Sequence, residues 1–332
     1  MGANVDVRSR LNEFDLRANR IVEIKGLEAL PALVHLNLDQ NRLATLSLPS
    51  GAKLNTVRSI KLTQNSFTTF DVGPFPNVRI LYMDNNKLSH VSGLTRAKSI
   101  DAVSFREQGT ISGTFDLDVA RMFESRKLYL SSNPVATFNL KASFLNLQFL
   151  EMAGCHLRTL PKNIASLIPN VRVLNLNYNA ILDIRPLTGL TRLVKLSCAG
   201  NRISNVKKLG QALERCRGIK WVDFRNNPVT IGFYPPITTV TKPADDYAKD
   251  PFEIVEAEEE KDAAHVARLD LDTKCERKRY WLVVAASCRK LHGFDGLPFV
   301  REEVEVEDEV WKECVKRGWL VVGDGAEKED HE

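Results

Sequence analysis

The chain has 332 residues, of which 43% are hydrophobic and 27% charged, which suits one large folded unit or two ordinary ones. Its longest wholly apolar run, Trp281 to Ala286, is far too short to cross a bilayer as a helix, and the opening residues carry neither a signal-peptide pattern nor a myristoylation motif. Lys and Arg exceed Asp and Glu by 14 through Val229, while the acids are in excess by 10 from Thr230 onward. A basic body with an acidic end favours acidic protein partners over nucleic acid, because the positives are spread along the chain and form no single basic run.

Residues 1–10 are polar and contain no amphipathic helix able to cap the chain beyond them. The chain is therefore expected to be a piece of something longer, or to have its N-terminal cap supplied elsewhere. From Leu11 one pattern recurs, L-x-x-L-x-L-x-x-N-x-I. It is clearest at Val171, Leu174, Leu176, Asn179 and Ile181, and again at Leu193, Leu196, Cys198, Asn201 and Ile203. The Asn position falls at Asn19, Asn41, Asn65, Asn86, Gln108, Asn133, Cys155, Asn179, Asn201 and Asn227, at intervals of 21 to 26 residues. The fifth unit is worn at Gln108, and an irregular bulge is expected over 107–125. The sixth opens on Ser125 and keeps Leu128, Leu130, Asn133 and Val135. The seventh has Cys155 where Asn would stand.

This is the leucine-rich-repeat signature. In L-x-L the apolar residues share one face of a short strand and the residue between them points the other way. The Asn amide can both donate and accept, so stacked copies can satisfy the backbone groups that the turn leaves open. No single unit can bury its own apolar face, so the units must stack. The expected fold is an α/β leucine-rich-repeat solenoid. It has a curved parallel sheet of about ten to eleven short strands, 3₁₀ or short helical outer segments, and a C-terminal helical cap. Longer outer helices are expected in the units of 24 to 26 residues.

The periodicity stops after Asn227-Pro228, giving expected divisions of 1–229 for the repeats, 230–299 for an extended excursion, cap helix and terminal strand, and 300–332 for a last helix and polar tail. The cap helix is expected over Asp262–Cys288. Its basic cluster Lys274 to Arg279 reads as a solvated face or, more sharply, as a docking surface for an acidic or phosphorylated peptide. Leu291, Phe294 and Leu297 read as one final strand. An amphipathic helix comes next over about Asp308–Arg317, and the GDGAEKEDHE end reads as disordered.

No constellation for catalysis emerges. The six His residues lie in different units, the six Cys include no C-x-x-C pair and read as buried reduced thiols, and no nucleotide-binding or hydrolase motif occurs. The chain is expected to be a non-enzyme with no cofactor and no metal site. Residues beside the strand leucines face the concave side. From the fourth unit onward apolar and aromatic side chains appear there among cations: Ile80, Tyr82, Arg106, Lys127, Tyr129, Phe149, Val173, Lys195, Trp221 and Arg225. Aromatics ringed by Lys and Arg suit a protein-binding hot spot. The competing reading is an ordinary inner face, with the tail folded back over Trp221.

The 22-residue units resemble the intracellular, phosphatase-regulator-like class of leucine-rich repeats. The closing segments RNNPVTIGFYPP (225–236) and CERKRYWLVVAASCRKLHGFDGLPF (275–299) resemble, more narrowly, the C-terminal repeat domain of the fungal spindle-pole-body scaffold of the mitotic-exit and septation-initiation networks, with animal centriolin more distant. The resemblance implies a cytoplasmic, cytoskeletal location at the spindle pole. It also implies a scaffold that gathers a small GTPase, its GTPase-activating complex and kinases. The charge distribution adds that the partner segments are expected to be acidic or phosphorylated, with no nucleic acid or membrane involved. The alternative is a regulatory subunit of a protein phosphatase. The resemblance supplies no site residue of its own.

Overall fold

The computed structural model describes residues 10–109, 124–133, 143–237 and 256–319. Each repeat contributes one three-residue strand centred on the middle apolar position. These strands are β1 (Glu13–Asp15), β2 (His35–Asn37), β3 (Ser59–Lys61), β5 (Ile80–Tyr82), β7 (Ala102–Ser104), β8 (Lys127–Tyr129), β9 (Phe149–Glu151), β10 (Val173–Asn175), β11 (Lys195–Ser197) and β12 (Trp221–Asp223). They pair in parallel, in chain order and without a register slip, so Leu81 stands beside Val103, Leu128 beside Leu150, and Leu174 beside Leu196. Their core residues are essentially sealed from solvent, whereas Leu11, Phe14 and Leu16 of the first repeat are only half-buried.

The Asn column is what fixes the stack. Asn41 donates its amide to Leu38 O and Asp39 O of its own turn and to Leu16 O of the preceding one, and its Oδ1 accepts from Ile21 N. Asn65, Asn86, Asn201 and Asn227 repeat the arrangement. Gln108 does the same work from one methylene further out, accepting from Leu88 N and donating to Met83 O and Arg106 O. Cys155 keeps the donating half alone, with Sγ 3.3 Å from Leu130 O, while Asn179 Oδ1 accepts from both Cys155 N and Leu157 N. The residue before this position has φ between 52° and 66° in all ten repeats, although only Gly154 and Gly200 are glycines. Left-handed backbone is unfavourable for residues with a Cβ. Here its N–H is satisfied by the next repeat, as from Gln64 N to Asp84 O and from Tyr178 N to Ala199 O.

The outer segments vary with repeat length. Short repeats carry single 3₁₀ turns at Leu27–Ala29 and Arg185–Leu187, and two of the longer ones carry α1 (Ile164–Leu167) and α2 (Val206–Glu214), but the 24-residue unit between Asn41 and Asn65 has no helix, contrary to the expectation for its length. Two units depart from this by forming a second parallel pair on the convex side, β4 (Thr69–Asp71) with β6 (His90–Ser92), which places Phe70 and Val91 in the core. Gly93 (φ 75°) makes it possible, because a Cβ there would lie 2.3 Å from Gly73 N. No such pair was expected from the sequence.

Beyond the repeats, the single helix expected over 262–288 is two, α3 (Glu259–Arg268) and α4 (Leu271–Ser287). Asp270 starts the second by accepting from Thr273 N. α4 lies against α2 at Gly210, where a Cβ would sit 2.8 Å from Val283. The expected last strand is a hairpin: β13 (Gly293–Phe294) continues the parallel sheet and β14 (Leu297–Pro298) returns antiparallel to it. A short α5 (Arg301–Val304) precedes α6 (Glu309–Lys316), whose flanking residues Asp308 and Arg317 match the expected helix ends.

The basic cluster on α4 is neither a solvated face nor a free docking surface. Arg277 is buried, forks onto Asp262, donates to Phe233 O and lies over the rings of Tyr234 and Trp281. Lys278 reaches Val306 O, and Arg279 covers Trp319. The cations of this helix hold the C-terminal elements to one another. Residues 110–123 of the bulge expected over 107–125 lie outside the described residues, as do Val135, most of the excursion and the polar tail.

Leu176, 1% exposed, should cost about 2–5 kcal/mol when cut to Ala, the range for a buried cavity. Asn179→Ala should cost about 1–3 kcal/mol for each backbone group it leaves without a partner. Urea unfolding of both variants checks this, and an unchanged midpoint for either would mean the register is misassigned.

Candidate functional site

The parallel register turns the sequence into rows across the concave face. One row runs Ile80, Ala102, Lys127, Phe149, Val173, Lys195, Trp221, each beside the next on neighbouring strands. Six of the residues expected at a binding surface therefore share one line. The adjacent row runs Tyr82, Ser104, Tyr129, Glu151, Asn175. The rings of Tyr129 and Phe149 meet diagonally with centroids 4.8 Å apart, whereas the buried Ser104 separates Tyr82 from Tyr129. Tyr82, Tyr129, Phe149, Ile80 and Val173 are half-buried, and Lys127 is exposed.

Arg106 and Arg225, both expected on this surface, offer no free charge to it. They belong to a third column (Asp39, Thr63, Asp84, Arg106, Ser131, Ala153, Asn177, Ala199, Arg225) that the structure buries as a polar base beneath the face. The column has its own ladder, in which a side chain accepts from the equivalent N–H one repeat on. Asp39 Oδ1 accepts from Thr63 N, Asp84 Oδ1 from Arg106 N, Ser131 Oγ from Ala153 N, and Asn177 Oδ1 from Ala199 N. Asp39, Asp84, Ser131 and Asn177 each cap the neighbouring repeat in this way, and small alanines stand at 153 and 199.

Arg106 sits at the centre of this base. Its guanidinium forks onto Glu151, Nε to Oε1 at 2.7 Å and Nη2 to Oε2 at 2.5 Å, lies 3.6 Å from Asp84, and covers the Tyr129 ring at 4.5 Å. Glu151 is fully buried. The pair is thus a pedestal for Tyr129. It holds the ring from below through a desolvated cation, a contact strengthened where water is excluded. Arg225 is likewise bound by Asp223 and lies over Gly296, where a Cβ would be 2.6 Å from the guanidinium.

At the C-terminal end Trp221 is 42% exposed and stands next to Gly293, whose missing Cβ leaves room for the indole; His292 meets it edge-on. Trp221 opens into a cleft of about 390 Å³ also lined by Lys195, His292, Glu256 and Glu259. Ala257 N donates to Gly296 O, so the end of the acidic excursion reaches this cleft and narrows it. His292 and Glu256 were not anticipated as part of the face. The Trp221–Gly293 register was the signal available for the first, and nothing local marked the second.

Beneath the cleft, Asp295 accepts from Phe224 N at 2.7 Å and from the Tyr280 hydroxyl at 3.0 Å. Burial, with Asp223 adding to it, pushes its carboxyl up to about 7. Burial likewise pushes Asp39 up to about 6 and raises Asp84. All six cysteines are buried and unpaired, and burial pushes the Cys155 thiol up to about 12, so it is a poor nucleophile. Among the described residues no group of His, Cys, Asp and Glu could hold a metal ion, and no helix is long and apolar enough to cross a membrane.

Residues 169–211 match the family model for leucine-rich repeats in two copies. The chain is 30% identical over 240 residues to the septation initiation network scaffold protein cdc11 of Schizosaccharomyces pombe, a match covering 68% of this chain and 22% of that protein. The resemblance drawn from residues 225–236 and 275–299 is thereby borne out. The leucine-rich repeat-containing G-protein coupled receptor 5 of Rattus norvegicus is 27% identical over 85 residues, 26% of this chain and 9% of the receptor. Among solved structures, a leucine-rich-repeat protein of Leptospira interrogans is similar with a TM-score of 0.48 and 19% identity, over 66% of this chain and 62% of that one.

Arg106→Ala should cost about 3–5 kcal/mol by leaving Glu151 charged and buried without its partner. Calorimetry checks this, and a loss of binding with no loss of stability would instead make Arg106 a ligand contact. The raised carboxyls have a signed consequence. Between the ordinary carboxylate value of about 4 and the folded value of about 7, the native state holds protons that the unfolded chain has released. Stability should therefore be highest below that window and fall as pH rises through it. Asp295→Asn should flatten the fall, as read from unfolding midpoints at pH 5 and pH 8.

Proposed function

We propose that this chain is a non-enzymatic protein-docking element of a septation-initiation scaffold, and that its partner binds the concave face around Tyr129 and Phe149. The observation that carries the site is the half-exposed aromatic pair. It is braced by a desolvated Arg106–Glu151 pedestal and continued by Val173 on one side and, across Ala102 and Ser104, by Ile80 and Tyr82 on the other. A rigid aromatic on a pre-organised base loses little freedom on binding, which is how hot spots gain affinity. The scaffold role is supported by the likeness to cdc11. The matched region spans only 22% of that protein's length, so the partners of the whole scaffold are proposals for this chain. They comprise a spindle-pole anchor, a GTPase with its activating complex, and kinases, gathered on the cytoplasmic side of the spindle pole body. On this reading the unit boundaries are 1–229 for the docking solenoid, and 230–299 and 300–332 for the elements that close it.

Tyr129→Ala with Phe149→Ala should weaken partner capture at least about tenfold, the scale of a central hot spot, while the melting temperature changes little because neither ring lies in the sealed core. Affinity purification of the chain and the double variant from dividing cells expressing each checks this. Septation-network components retained by the chain and lost by the variant are expected. A phosphatase catalytic subunit as the stoichiometric partner would overturn the scaffold reading.

A further inference from the structure

The positives that look scattered along the sequence gather in space. One residue in each repeat precedes the strand, and successive backbone bonds (Arg79 N to Arg58 O, Asp101 N to Arg79 O, Arg126 N to Asp101 O, Gln148 N to Arg126 O, Arg172 N to Gln148 O) hold these residues in a single file along one lip of the concave face. From Arg58 to Lys220 the file reads Arg, Arg, Asp, Arg, Gln, Arg, Val, Lys, with Asp101 its one acid. Arg58 is tied to the carbonyls of Asn55 and Asn77. Arg79 and Arg172 are exposed and form no ion pair among the described residues, and Arg126, with its side chain 64% exposed, lies 3.6 Å from Asp101.

Arg79, Arg126 and Arg172 recur at every second strand. Neighbouring strands lie about 4.8 Å apart, so the interval is about 10 Å. Three residues of polyproline-II chain span about 9 Å and complete one turn, so every third side chain faces the same way. We infer that this lip binds an acidic peptide segment in the polyproline-II conformation that crosses the strands with a carboxylate at every third residue, one for each of Arg79, Arg126 and Arg172, while its intervening side chains reach the Tyr129–Phe149 pair. Charge decides the chemistry. Each site offers one guanidinium, a match for one singly charged carboxylate, whereas a dianionic phosphate at each step would overfill the row. The inference rests on the concave-face reading and names the partner chemistry for it.

The test is fluorescence anisotropy at low ionic strength with three synthetic nine-residue peptides of otherwise identical composition. One carries Asp at positions 1, 4 and 7, one carries its three Asp contiguously, and one carries phosphoserine at 1, 4 and 7. The spaced aspartate peptide should bind at least about tenfold tighter than the contiguous one. The triple variant Arg79→Gln, Arg126→Gln, Arg172→Gln should lose that preference, and added salt should erode it. Equal affinity for the two aspartate peptides, or no change in the triple variant, would overturn the inference. A phosphoserine peptide bound about tenfold tighter than the spaced aspartate peptide would overturn the assignment to carboxylates. Tyr129→Ala with Phe149→Ala separates the two levels: full affinity in that variant, with loss in the arginine variant, keeps the lip and removes the aromatic site.

Discussion

The architecture depends on a side-chain amide that reaches backward. From Asn41 onward each ladder asparagine bonds to carbonyls in its own turn and in the turn before it, and accepts an N–H from that earlier turn, so one residue type sets both the local bend and the register of the next copy. Because those bonds are made at the inner side, the outer segments are free to differ. A 3₁₀ turn, a nine-residue helix and a paired strand all close the same loop without disturbing the strand beside it. The left-handed residue before each asparagine carries a backbone cost that only this continuous bonding offsets.

Much of this was legible because it is periodic. The repeat units, the strand positions and the sealed column of leucines come from spacing alone, since a period-two pattern fixes which residues share a face. What escaped the sequence is what depends on neighbours in space. Whether Asp84 or Arg106 is solvated is decided by the repeats on either side, and the partner that neutralises Arg106 lies 45 residues away at Glu151. Position along the strand therefore identified the inner face but not its depth: Tyr82, Lys127, Tyr129 and Phe149 beside the strand leucines stay accessible, Ser104, Glu151 and Asn175 in equivalent places are covered, and the column two residues further on is covered from Asp39 onward. The convex strand pair escaped for a similar reason. It requires Gly93 to pass close to Gly73, a contact between repeats that no local propensity announces.

The segments that carry the resemblance also acquire a physical meaning. In RNNPVT, Asn227 and Thr230 cap one another, and Arg225 rests over Gly296 of the closing hairpin. In the second segment Arg277 ties α3 to the turn at Phe233, and Tyr280 meets Asp295. Repeats of this kind can be exchanged for one another with little penalty. The terminal contacts are each made once, between unlike elements, and so tolerate fewer residue types. That is why these stretches are distinctive and the repeats are generic.

The Asp295–Phe224 bond joins residues 71 positions apart, against the roughly 20 to 30 that separate most partners within the repeats. Where an inner repeat would receive a backbone carbonyl from the next strand, Phe224 receives a carboxylate from a chain that has already turned away. Stacked repeats otherwise fold by adding local contacts in sequence, each with a small loop to close. The final one has to wait for a distant segment, which places its completion late in folding and couples the last repeat to α3 and α4 as a single cooperative block. Chain emerging during synthesis would thus hold an ordered inner sheet with an open trailing edge until residue 295 arrives, and the finished molecule would unfold from its two ends by different routes.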